Sequence, residues 1–334
     1  MRWNVVEREC NMKILFWGNM KSNMGPDNVN KCIRKNLTDT FCYVKSKNKY
    51  GELFEGVWKL LFSNALVVSG ISRKGRIFIG IAKLLGKKTV YIMHGCLAYE
   101  YEINEIAPSK KGLETEQYVM KTVDLLLPVS RKFMHWVHSR YPQYVKKTKY
   151  LYNGVDKDIL PKVSNVESMP NSVIAAGGNR KQKANYVVAD AVESLRGQVH
   201  LEIYGGLNRH IPQDRYHHIK YMGRIPQEKF AERLSQSALF VLNSVFEPFS
   251  LAAVEALVCG CSVLLSEAAG VTDILELEET DIIHDPMNVE EVRRKIEYLL
   301  EHPNNERIMS KFNIDDWSYE KAVKRLEEFC RDLV

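Results

Sequence analysis

The sequence predicts an α/β protein of two domains, each a parallel sheet covered by helices, facing each other across a cleft. Short apolar runs alternate with helix-period segments along the whole chain. Its 334 residues suffice for two cores of ordinary size. Asn153-Gly154 breaks the alternation, and a polar stretch from Pro161 to Asn171, rich in Ser, Pro and Asn, follows as the linker. The expected domains are 1–160 and 161–316, with a C-terminal helix over 317–334.

In the first half, Lys13–Trp17 reads as a strand ending at Gly18. A polar loop, Asn19 to Asp27, and a helix from Asn28 to Asn36 follow. Ala65–Ser69 is the next strand. Ile77, Ile81, Leu84 and Leu85 recur at helical spacing, which predicts a helix over Lys74–Leu85 with that stripe facing the core. Thr89–Met93, Asp124–Val129 and Lys149–Tyr152 complete the sheet. In the second half, strands are expected at Ser172–Ala176, His200–Tyr204, Ile219–Tyr221, Ala238–Leu242, Ser262–Leu265 and Asp281–His284. Helices are expected at Pro226–Gln236, Leu251–Val258 and Val289–Glu301, and a charged amphipathic helix, Trp317–Leu333, closes the chain.

Composition excludes several classes. Apolar content of 45% and charged content of 26% are those of a soluble globular chain. There is no apolar run of about eighteen residues, so no membrane-spanning helix is expected. Residues 1–11 lack an apolar h-region and do not read as a secretory signal; the folded part is expected to start at Met12. The seven cysteines show neither a disulfide framework nor zinc spacing, which points to reduced structural thiols and a cytoplasmic location. No metal-ligand cluster is visible, and no Gly-x-Gly-x-x-Gly fingerprint with a later acidic ribose ligand marks a dehydrogenase. Residues 1–160 carry 27 Lys and Arg against 14 Asp and Glu, whereas the remainder carries 20 against 27. That imbalance suits anionic lipid headgroups or an anionic acceptor at the first domain. Nucleic acid is not expected, because the basic residues are not interleaved with stacking aromatics in a known module.

Four loops at strand carboxyl ends carry the chemistry. The first is Glu247-Pro248-Phe249-Ser250-Leu251-Ala252-Ala253-Val254-Glu255. Ser250 stands at a helix N-cap, where backbone amides and a hydroxyl suit a phosphate. Glu247 precedes the cap and Glu255 lies in the second turn. Helical side chains lean toward the N-terminus, so both carboxylates are expected to face one crevice and bind hydroxyls. A ligand with a phosphate between two polyols, a nucleotide-sugar, has that shape. The second loop, Gly177-Gly178-Asn179-Arg180-Lys181-Gln182-Lys183, lets the backbone approach a ligand while Arg180 and Lys183 neutralise a diphosphate. The third, Gly223-Arg224-Ile225-Pro226, offers backbone to a base edge, with Ile225 on the ring. The fourth is His94-Gly95, whose imidazole can bond a sugar or shuttle a proton. After the first strand, Gly25 in Met24-Gly25-Pro26-Asp27 permits close approach of donor or acceptor.

With these pieces assembled, the chain resembles the GT-B-fold retaining glycosyltransferases of family 4, the glycosyl transferases group 1, over nearly its whole length. The resemblance rests on Gly25-Pro26, His94-Gly95, Asn153-Gly154-Val155-Asp156, Arg180 and Lys183, Gly223, Glu247-Pro248-Phe249-Ser250 with Glu255, and the Trp317-led helix. It implies two Rossmann-like domains, with Glu247 on the donor sugar, Glu255 on the ribose and the amides around Phe249 to Leu251 on phosphate or sugar. It implies Arg180 and Lys183 on the diphosphate, and a last helix crossing back onto the first domain. The Arg-to-Lys spacing is shorter than the family's usual one, leaving open which of Arg180, Lys181 and Lys183 meets phosphate. Asp273 stands where many members carry Glu. The implied activity is metal-independent, retaining transfer from a UDP-sugar to a glycan or lipid-linked acceptor in cell-surface polysaccharide synthesis. It needs no cofactor beyond the nucleotide-sugar co-substrate, and the enzyme would lie at the inner face of the membrane. The alternatives are a nucleotide-sugar epimerase of similar architecture and a non-catalytic nucleotide-sugar-binding protein.

Overall fold

The computed structural model describes residues 12–21, 25–46, 48–156, 169–178, 180–195, 197–206 and 216–334. Residues 1–11, Met24, Asn179 and most of the expected linker lie outside them. The alternation read from the sequence folds into two all-parallel sheets. The first holds β1 (Ile14–Gly18), β2 (Phe41–Tyr43), β3 (Ala65–Ser69), β4 (Lys88–Met93) and β5 (Leu125–Pro128), in the order β2-β1-β3-β4-β5. The second holds β6 (Met169–Ala176), β7 (His200–Tyr204), β8 (Ile219–Gly223), β9 (Ser237–Leu242), β10 (Ser262–Ser266) and β11 (Ile282–Ile283), in the order β11-β10-β9-β6-β7-β8. Ile14, Leu66, Val67, Phe240 and Val263 are wholly buried, because helices cover both faces of each sheet. The winding reverses between β1 and β3 in one sheet and between β6 and β9 in the other. Such reversals open a crevice at the strands' carboxyl ends.

The helices of the first sheet are α1 (Gly25–Lys35), α2 (Lys49–Leu61), α3 (Arg73–Leu84), α4 (Leu97–Ile103), α5 (Lys110–Thr122) and α6 (Arg131–Arg140). Those of the second are α7 (Asn185–Glu193), α8 (Gln227–Ser235), α9 (Leu251–Val258), α10 (Val289–Glu301) and α11 (Asn305–Met309). The last helix, α12 (Tyr319–Arg331), returns to the first core. Tyr319, Val323, Leu326 and Cys330 are buried there, and Thr38 and Thr40 donate to Glu327 at 2.6 and 2.8 Å.

The two halves are tied at the start of α6. The buried Ser130 hydroxyl accepts from Phe133 N at 3.0 Å, capping α6, and donates to Pro248 O at 2.6 Å in the other domain. Asp273 accepts from the Lys132 backbone N at 2.8 Å, and the Lys132 ammonium donates to Glu267 O at 2.6 Å. Phe246 and Phe249 of the second half pack into the first core.

Several expectations are corrected. β2 and α2 were not read from the sequence, and α1 begins at Gly25 instead of Asn28. Lys149 and Leu151 donate to β5 carbonyls at 3.0 and 2.9 Å, yet Lys149–Tyr152 forms no strand ladder, because the pairing is not continued. The core face of α3 is Gly75, Phe78, Ile79 and Ala82; Ile77, Leu84 and Leu85 are exposed and Ile81 is half-buried. The stripe was misread because α3 carries apolar residues on two faces. β6 starts at Met169, inside the stretch expected to be linker.

Replacing Ser130 by Ala removes a helix cap and leaves a buried carbonyl without its donor. The expected loss is about 1–3 kcal/mol of unfolding free energy, measured by urea denaturation.

Candidate functional site

Two loops leave the second sheet at its reversal: Gly177–Lys183 after β6 and Asn243–Ser250 after β9. Gly177 and Gly178 adopt φ of +98° and +66°. A Cβ on Gly177 would lie 2.6 Å from the Lys183 Cγ, and one on Gly178 2.0 Å from the Gly206 carbonyl oxygen, so the loop needs both glycines. This turn lays Lys183 against Glu247 in an ion pair whose side chains are only 10% and 13% exposed. Gln182 N donates to Asn104 Oδ1 at 3.1 Å, and Gln182 Nε2 donates to Phe246 O at 2.8 Å, which ties both loops to the first domain.

Lys181 pairs instead with Glu105. Arg180 is exposed, with its Nε donating weakly to Gly177 O at 3.4 Å. Both Arg180 and Lys183 act on Glu100 of α4. Burial pushes the Glu100 carboxyl above its usual range, while the two cations pull it back and Glu247 adds to the rise. Glu100 therefore shares the electrostatic neighbourhood of Glu247, Arg180 and Lys183. The sequence reading missed it, because Tyr99-Glu100-Tyr101-Glu102 resembles a solvated helix face. Its one signal is position, a single turn beyond His94-Gly95. Glu116 of α5 orients that turn by accepting from Leu97 N and Ala98 N at 2.6 and 2.9 Å.

His94 ends β4, with its Nε2 2.8 Å from the Ser69 Oγ. Burial lowers its pKa to about 4, opposed in part by the charge of Asp27, so the ring is neutral at pH 7. Asp27 is itself buried at the start of α1 and accepts from Asn19 Nδ2 at 3.0 Å. Gly25 opens α1 and is exposed, next to the undescribed Met24.

Ser250 departs from its expected role. It has φ 84° and ψ 92° and makes no side-chain bond to the helix start, since an N-cap uses extended backbone. A positive φ on a non-glycine residue stores strain at this junction. The loop is pinned by Gly270 N on Glu247 O and Val271 N on Phe249 O, both at 2.9 Å. Leu251 begins α9 and packs toward the first core beside the buried Phe249. Glu255 accepts from Gln227 Nε2 at 2.7 Å. Burial raises its pKa, with the Gln227 bond acting against the rise. It borders a small cavity with Asn28, Cys32, Asp156 and Tyr319, so the two glutamates touch different neighbours. Gly223 ends β8 at φ +70°, its carbonyl accepting from Gly205 N at 2.8 Å. Ile225 is half-buried and Pro226 takes the cap position of α8. Among the described residues, no three His, Cys, Asp or Glu side chains converge as metal ligands.

Residues 156–315, which span both loops, match the model of the family described as Glycosyl transferases group 1. The chain carries a glycosyl transferases group 1 domain. That domain holds Lys183, Glu247 and Glu255, while Glu100 of the other half lies close enough to feel the charges of Arg180, Lys183 and Glu247. A curated relative, the uncharacterized glycosyltransferase MJ1178 of Methanocaldococcus jannaschii, is 22% identical over 236 residues. The alignment covers 67% of this chain and 64% of that relative's length. Among solved structures, Anabaena Alr3699/HepE in complex with UDP-glucose superposes with a TM-score of 0.70 at 16% identity, covering 96% of this chain and 100% of the other. A glycosyltransferase from Rickettsia africae gives 0.66 at 13% identity, covering 96% and 98%. The fold around the group 1 domain is thus GT-B, two Rossmann-like domains across a cleft.

The buried, neutral His94 sets an acid dependence. An unfolded histidine takes its proton near pH 6.5 and the folded one near 4, so this residue makes the protein lose stability as pH falls through that interval. His94→Asn is expected to flatten that part of the urea-denaturation profile between pH 6.5 and 4. An unchanged slope would mean His94 is no proton-linked group.

Proposed function

We propose that this protein is a retaining, metal-independent glycosyltransferase that moves a sugar from a UDP-sugar to a glycan or lipid-linked acceptor in cell-surface polysaccharide synthesis. The observation that carries the reading is the Lys183–Glu247 pair at the reversal of the second sheet, with Arg180 and Glu100 beside it. The Anabaena relative was solved with UDP-glucose, which favours a uridine donor. In this reading Glu255 holds the ribose hydroxyls and Glu247 a hydroxyl of the donor sugar. Lys183 and Arg180 offset the charge that builds on the diphosphate as its bond to the anomeric carbon breaks. The acceptor hydroxyl attacks that carbon on the same face, and its proton leaves with the departing diphosphate. Neutral His94 serves as a hydrogen-bonding group to the sugar instead of a cation.

Glu255→Ala is expected to weaken UDP binding by about 1.5–3 kcal/mol, the worth of a charge-assisted hydrogen bond. Glu247→Ala should lower kcat more than UDP affinity, and Arg180→Ala or Lys183→Ala should each slow transfer at least about tenfold. Wild-type transfer should persist in excess EDTA. Normal behaviour of both glutamate variants would overturn the site assignment, and loss of transfer on chelation would overturn metal independence.

A peripheral position on an anionic bilayer completes the proposal. Helix α2 buries Glu52, Gly56 and Leu60, yet Tyr50, Phe54, Trp58, Leu61 and Phe62 project from its other side, with Phe54 76% exposed. Leu84 of the neighbouring α3 is 89% exposed. Cations stand at both ends of this helix: Lys49 opens it, and at its end the Lys87 ammonium donates to Leu61 O at 3.3 Å. Aromatic side chains with lysines at their margin suit the headgroup boundary of an anionic bilayer. The protein is expected to co-sediment with vesicles containing anionic lipid, to be released by salt, and to lose binding in Phe54→Ser or Trp58→Ser. Equal binding to neutral vesicles, or none to anionic ones at low salt, would overturn this part.

A further inference from the structure

Apart from Lys183, Glu247 and Glu255, a cavity of about 650 Å³ opens at the carboxyl ends of β1, β2 and β3. It lies where the winding of the first sheet reverses, the position at which doubly wound sheets hold ligands. Its volume falls in the range that encloses a small organic ligand. All of its described lining comes from the first half of the chain.

The charge of this lining is one-sided. Lys21, Arg34, Lys45, Arg73 and Lys74 face the cavity, and among the described lining residues Glu52 is the only carboxylate. Glu52 is buried and already engaged, by Lys21 at 2.8 Å and by Lys74. Arg34 lies over the Tyr43 ring at 4.0 Å. Arg34, Lys45 and Arg73 have no carboxylate partner among the described residues; Glu55 is met by the Lys45 backbone nitrogen. Burial and the charges of Lys21 and Lys49 make Lys74 give up its proton more readily than a free lysine. The same cavity has aromatic walls in Trp17 and Tyr43. Asn19, at its edge, donates to Asp27, whose charge is felt at His94. Asn19 thus links the edge of the cavity, through Asp27, to the electrostatic surroundings of His94.

We propose that this pocket binds the acceptor through a phosphate group carried on a sugar. Four positive charges in excess match a phosphate ester, with close to two negative charges, better than a single carboxylate. Guanidinium groups give forked hydrogen bonds to its oxygens. The Tyr43 ring face not covered by Arg34 and the exposed edge of Trp17 border the sugar, and a hydroxyl beyond it extends past Asn19 toward His94. The phosphate is either that of a soluble sugar phosphate or that of a lipid carrier. The proposal rests on the donor occupying the second domain.

The test is calorimetric titration of the full chain with UDP saturating, comparing glucose 1-phosphate with glucose. The phosphate is expected to raise affinity by at least about tenfold, the worth of one charge-assisted hydrogen bond. The double variant Lys45→Ala, Arg73→Ala, two exposed side chains without a carboxylate partner, is expected to erase the preference while UDP binds as in wild type. In a second arm, retention on phosphatidylcholine vesicles with and without polyprenyl phosphate identifies the source. A gain that the double variant abolishes assigns the lipid carrier, and no gain alongside tight glucose 1-phosphate binding assigns the soluble one. If glucose 1-phosphate binds no tighter than glucose while UDP binds normally, or if the double variant keeps the preference, the pocket is not a phosphate site. Failure of wild type to bind UDP at all would instead overturn the donor reading.

Discussion

Both candidate ligand sites in this molecule depend on one constraint of parallel sheets. Strands wound in one sense leave no gap at their ends, because each following loop covers its neighbour. Where the winding reverses, adjacent loops part in opposite directions and expose strand ends. Both sheets reverse once, at β1/β3 and at β6/β9. The Lys183–Glu247 pair grows from the second reversal and the cationic cavity from the first. Ser130, bonded to both halves at once, ties the loop after β9 to the start of α6.

The cleft is electrostatically uneven because burial acts on each group differently. Removing a charge from water disfavours it unless a partner compensates. Lys183 and Glu247 compensate each other. Burial raises Glu100 and Glu116, so their carboxyls hold protons more readily, although Arg180 and Lys183 pull Glu100 partly back. His94 has a hydroxyl for a neighbour and stays neutral. The surroundings of Glu100 therefore offer charged and protonatable groups together, which suits the proposed recognition of a polyol joined to a diphosphate.

The outer side of the first domain follows another logic. α2 packs Gly56 so closely on Phe78 that a Cβ there would sit 2.4 Å from the ring. That contact fixes which side of the helix is buried and turns five large apolar side chains outward. An ordinary solvated helix would place charges there. Composition alone records the basic surplus of the first half; the arrangement of α2 and α3 distributes it around an apolar face and a cavity.

By itself, the sequence determined the two-sheet α/β architecture, nearly every strand, and the loops that carry Lys183, Glu247 and Glu255. These were legible because buried parallel strands are short apolar runs and because strand-end loops concentrate glycine, proline and charge. Only tertiary structure decided the rest. β2 is three residues long and too short for a periodic signal, so α2 behind it was lost as well. The exposed side of α3 was taken for its core side, since periodicity reports that a helix has a stripe and not which neighbour covers it. Glu100 joins the site through packing between chain segments about eighty and more than a hundred residues apart, which no local pattern encodes. Ser250 occupies the expected position but not the expected conformation, because the loop's bonds to Gly270 and Val271 override the preference of a serine for capping. Asp273, which departs from the pattern of the resembling family, holds the start of α6 through its carboxylate, a contact between the two halves that no local pattern encodes.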